Sequence, residues 1–175
     1  GRPLGTQVSV TGVVTVSSGV MDAGFAVQDE SGGIYVQADS SRAFRVGQRV
    51  RVGGALTDDH GLLGILPDAV DLLRDAADPV PRAIPTGSVG EGTEGWLIET
   101  TGTVRGGVVD DRPYGWKVTI DDGSGPLLVF VPTGSRIDVR GVREGQRLRV
   151  TGLSAQYDDH HEIIPRGERD LVVLP

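Results

Sequence analysis

The chain has 175 residues, of which 27 are glycine, 10 are proline and none is cysteine, and it carries a net charge of −7. The missing cysteines exclude disulfides, thiolate catalysis and Cys-based zinc sites. The acidic balance counts against broad phosphate recognition, although a local patch can differ from the total.

Abundant glycine and valine predict many short strands. No stretch reaches the roughly 18 apolar residues of a membrane span. The opening GRPLGTQVSV lacks the basic end and apolar core of a secretory signal. In chain order, VTGVV at 10–14 reads as part of a long, bent first strand. GFAVQDESGGIYVQ at 24–37 then alternates with period two: Phe25, Val27, Ile34 and Val36 share one face, and DESGG turns the chain. A short turn at Ser40–Phe44 bridges to VGQRVRVGGAL at 46–56, where Val50 and Val52 face in and Arg49 and Arg51 face out. DDHGLLGILPDAVDLL follows at 58–73.

The same series then recurs. TTGTV stands at 100–104 and GWKVTIDDGSGPLLVF at 115–130, with Trp116, Val118, Ile120, Leu127 and Val129 facing in. A turn at Ser135–Val139 leads to REGQRLRVTGL at 143–153, and DDHHEIIPRGERDLVVL closes the chain at 158–174. Order and spacing match, so we read a tandem duplication. DPVPRAIPTGSVGEG at 78–92, with three prolines and three glycines, has linker composition and no strand or helix period. The expected organisation is a first unit at 1–77, a linker at 78–92 and a second unit at 93–175. Five strands per unit, with a bent first strand, a 2–3 hairpin, a connector and a 4–5 hairpin, describe two tandem all-β OB-fold barrels of five-stranded Greek-key type. Units of this size bury a modest core without disulfides.

GFAVQDESGGIYVQ, YGWKVTIDDGSGPLLVFV, GQRLRVTGLSAQYDDHHEIIPRGERDL and the linker IPTGSVGEGTEG resemble bacterial OB-fold modules appended to extracellular nucleases and other multidomain surface proteins. The resemblance spans nearly all of both units. It implies a non-catalytic accessory module of a secreted or cell-surface protein, with the catalytic domain elsewhere, and no cofactor.

Two of the three histidines lie in Asp-Asp-His segments at the expected 4–5 turns, Asp58–His60 and Asp158–His160, and His161 follows the second. Asp favours turns because its side chain bonds nearby backbone N–H groups, so these segments read as hairpin tips. A metal reading needs converging ligands, whereas neighbours on a strand point to opposite faces. There is no nucleophile elbow, phosphate loop or His-Glu-x-x-His zinc motif, and Lys117 is the one lysine. No metal site and no catalytic residue is therefore assigned.

An OB-fold ligand crosses the outer face of strands two and three, between the 1–2 and 4–5 loops. The outward residues there are Gln28, Tyr35 and Gln37 in the first unit and Lys117, Thr119, Leu128 and Phe130 in the second. Arg105, Arg112 and Tyr114 belong to the second unit's 1–2 loop, and Tyr157 and His160 to its 4–5 tip. These twelve residues form the expected ligand set. Single-stranded nucleic acid would stack on Tyr35 or Phe130 beside Lys117. Asp110 and Asp111 beside Arg112 oppose phosphate. Leu128 and Phe130 are apolar on a face expected to meet water, so contact with the linker or the sister unit is the simpler reading. The alternative function is a structural or protein-interaction module that spaces domains or self-associates.

Overall fold

A computed structural model describes residues 2–22, 24–38 and 42–175. The first barrel comprises β1 (Gln7–Val16), β2 (Phe25–Gln28), β3 (Gly33–Val36), β4 (Gln48–Asp59) and β5 (Leu62–Asp75), closed in the order β1-β2-β3-β5-β4. β3 and β5 run parallel, and the other neighbours are antiparallel. Ser40 and Ser41 of the expected bridge at Ser40–Phe44 lie outside the described residues.

The second barrel repeats this order with β7 (Leu97–Asp111), β8 (Gly115–Asp121), β9 (Pro126–Pro132), β11 (His160–Pro165) and β10 (Arg147–Tyr157), closed by pairing of β10 with β7. Two features depart from the five-strand expectation. The 78–92 segment contains a short strand, β6 (Arg82–Ala83), which pairs in parallel with β7, and the 3-10 turns Thr86–Ser88 and Glu91–Thr93 follow it. Alternation cannot reveal a two-residue strand, because it has no period. The second unit's last strand is also broken. Pro165 ends β11, a 3-10 turn at Glu168–Asp170 intervenes, and β12 (Leu171–Leu174) resumes pairing with β10. The connector after β9 forms a 3-10 turn at Thr133–Ser135, slightly ahead of the expected position.

The alternating residues fill two separate interiors. Phe25, Val27, Val36, Val50 and Val52 build the first, and Val118, Ile120, Leu127, Val129, Leu148 and Val150 the second. The shared Thr-Gly of the first strands has a steric cause. β1 pairs with β4 over Gln7–Val13 and then with β2, and it bulges between Val14 and Val16. At this crossing a Cβ on Gly12 would lie 2.7 Å from the Gln28 carbonyl oxygen, and one on Gly102 2.9 Å from the Asp121 nitrogen. Each strand bends between two partners only because that position carries no side chain.

Candidate binding face

The outer faces of the two barrels meet. Val16, Ala26, Tyr35 and Leu62 of the first pack with Leu153, Ala155 and Ile164 of the second into one buried apolar cluster, flanked by Val20, Met21 and Phe130. Register explains the composition, since directly paired residues share a face. Ala26 opposes Tyr35 on β2–β3, and Lys117 opposes Phe130 on β8–β9.

Polar contacts fix the arrangement. The Gln28 side-chain oxygen accepts the Leu97 N–H at 2.9 Å, and Arg166 donates to the Thr15 carbonyl at 2.9 Å while its guanidinium pairs with Asp170 at 2.7 Å. Gly33 and Gly95 bring backbone against backbone: a Cβ on Gly95, whose φ is +79°, would sit 2.2 Å from the Gly33 oxygen.

The two Asp-Asp-His tips meet each other. His60 Nδ1 lies 3.1 Å from Asp158 Oδ1, and its ring stacks on Tyr157 with centroids 4.7 Å apart. Tyr157 also lies against His160, at 6.0 Å between centroids. The tips are turns, as expected, and they also clasp the barrels together. Their similarity in sequence gave no signal that they touch.

The junction takes up much of the expected ligand set. Tyr35 is 5% exposed and donates its hydroxyl to the Met21 carbonyl at 3.1 Å. Burial, with the charges of Asp22 and Asp59, pushes its phenol up to about 12. Phe130 flanks the same cluster and Gln28 is engaged with Leu97, whereas half-buried Gln37 bonds within the first barrel, its N–H on the Ile65 carbonyl. Tyr157 and His160 sit at the clasp. The expected stacking platform is therefore corrected at Tyr35, which is buried, while Phe130 packs against the same cluster half-buried.

Outside the junction, Arg105, Thr119 and Leu128 form one row across β7, β8 and β9, and it continues to Glu162 on β11. The Lys117 ammonium pairs with Asp111 at 2.9 Å, and Arg105 approaches Asp121 at 3.9 Å. At the β7–β8 tip, Arg112 holds Asp110 at 2.6 Å, which keeps that carboxyl at about 2, and Tyr114 is 71% exposed. The arginine and the lysine of this strip thus each approach an acid.

Sequence reasoning missed Glu162. It is 5% exposed, His160 Nε2 lies 3.5 Å from its carboxylate, and burial raises its pKa to about 7 against the pull of His160 and Lys117. The alternation HHEII puts Glu162 on the outer face, opposite in parity to inward Ile163, so its burial left no signal in the sequence. Among the described residues no group of three or more His, Asp or Glu side chains is placed to hold a metal ion.

No family model matches the chain, and no curated protein is similar to it. Solved structures with related architecture include the tetrameric p202 HIN2 structure, with a TM-score of 0.44 and 12% identity over 100% of this chain and 97% of that one. A murine DNA-binding protein bound with double-stranded DNA gives 0.44 and 11%, over 89% and 90%. The single-stranded DNA-binding protein from Thermus aquaticus gives 0.35 and 13%, over 99% and 95%. At these values the likenesses assign no ligand to this chain.

Proposed function

We propose that the chain is a non-catalytic OB-fold accessory module, a rigid pair of barrels that spaces or presents parts of a larger secreted or surface-attached protein. The observation that carries this reading is the junction itself. The first barrel turns its β2–β3 face, where an OB-fold ordinarily takes its ligand, toward the second, which meets it with Leu153 and Ala155 of β10, Ile164 of β11 and Phe130 of β9. Tyr35 and Phe130 are thereby used in packing. The resemblance to modules appended to surface proteins agrees with this reading.

A second reading is single-stranded nucleic acid bound along the uncovered outer strip of the second barrel. The row Arg105–Thr119–Leu128, with Lys117 beside it and exposed Tyr114 at its end, favours it. Fluorescence anisotropy of a labelled single-stranded oligonucleotide, DNA and then RNA, at low and physiological salt separates the two. The accessory-module reading expects no binding even at low salt, where phosphate contacts are strongest. Binding at physiological salt that is lost in Lys117→Ala and Arg105→Ala establishes the second reading instead.

A further inference from the structure

We infer that the open mouth of the first barrel is a binding site for an aliphatic cation, such as the side chain of a lysine. This site is separate from the outer strip and does not depend on the nucleic-acid reading. The mouth opens into a cleft of about 600 Å³. Val8, Val10, Ile34 and Leu56 form its wall, and they are the end of the first barrel's own interior. Barrel mouths are recurrent ligand sites, since they offer apolar walls and a polar rim together.

The rim is acidic. Asp58 comes from the β4–β5 tip, and Glu91 and Glu94 come from the turn that leads into the second barrel. Arg2 is the one basic residue lining the cleft, and it makes no ion pair with these acids. The Glu94 carboxylate accepts one hydrogen bond, from the Leu63 N–H at 2.8 Å, and its other oxygen is buried without a donor among the described residues. Burial, with the repulsion of Glu91 and Asp58, raises its pKa despite nearby His161. A half-satisfied carboxylate above an apolar wall is complementary to a group with an alkyl stem and a cationic head, the shape in which lysine covers apolar surface.

The test is a methyl-detected NMR titration of the intact chain with n-pentylammonium, 1-pentanol and a lysine blocked at both ends. The expected result is shifts confined to Val8, Val10, Ile34 and Leu56, with pentylammonium binding more tightly than pentanol. Glu94→Gln keeps the acceptor for Leu63 and should weaken the ammonium about tenfold, as for loss of a charged hydrogen-bonding partner. Glu91→Gln, on the exposed turn, should weaken it less and serves as the readout if Glu94→Gln fails to fold. Binding of blocked lysine as tight as that of the free amine identifies a partner's side chain as the source, and binding of the free amine alone identifies a small molecule. Equal affinity for pentanol and pentylammonium, shifts elsewhere, or no effect of either substitution overturns the inference.

Discussion

Glu162 is an acid that the fold buries. Its carboxyl is held at about 7, against an ordinary value near 4.5, and it faces His160 on its own strand, Lys117 on β8 and Asp111 on β7. The sign follows from linkage. A carboxyl raised by folding binds its proton more tightly in the native state. The cost of burying its charge is full above about pH 7 and is relieved as the pH falls toward 4.5. Thermal unfolding should therefore show a more stable protein at pH 5.5 than at pH 8. Glu162→Gln should be more stable than the parent at pH 8 by about 1–3 kcal/mol, the scale of an uncompensated buried polar group, and its pH dependence should be much flatter. A parent equally stable at both pH values would refute this. Asp110 and Asp138 act oppositely. Arginine hydrogen bonds hold both at about 2, so they favour the folded state above their ordinary 3.8 and lose that effect between 3.8 and about 2. Of the twelve residues expected at a ligand face, their strand and loop positions were legible in the alternation. Which of them are covered, Tyr35 above all, was not, because that depends on what the sister barrel brings to the same face.

At the level of elements, the strands were readable because a closed barrel sorts side chains by parity. Phe25, Val27, Val118 and Val129 go inside for that reason alone. The breaks were harder to see. Pro165 stops β11, whereas Pro67 in the first unit is accommodated at an irregularity between Gly53 and Gly54. A proline permits either outcome, depending on the partner strand's local register. The glycines of the bent strands give a direct check. Gly12→Val drives a branched side chain into the Gln28 backbone and should cost about 1–3 kcal/mol or more. Gly53→Ala, whose added carbon meets nothing within 4 Å, should stay within about 0.5 kcal/mol of the parent. Urea unfolding of both variants measures the difference, and equal costs would show that the crossing is looser than described.

For the molecule as a whole, the pairing of the barrels was the least legible feature. Phe130, apolar on an outward face, signalled a covering partner and packs against the junction, whereas Leu128 on the same face lies outside it, and the linker's prolines signalled a restricted orientation. Nothing local to either unit specifies that Gly33 meets Gly95 or that His60 meets Asp158, since such contacts join residues far apart in sequence. The tip contact between exposed side chains adds at most about 1 kcal/mol. The apolar cluster dominates, because burying each Leu, Ile or Val contributes roughly 1.5–3 kcal/mol. The central claim, that two OB barrels form one rigid body through their outer faces, is tested most directly by ¹⁵N relaxation on the intact chain, with Gly95→Ala as comparison. A single rotational diffusion tensor should fit the amides of both barrels in the parent. Gly95→Ala, which places a carbon 2.2 Å from the Gly33 oxygen, should separate the barrels into two tensors with each still folded. Two independent tensors in the parent would contradict the account.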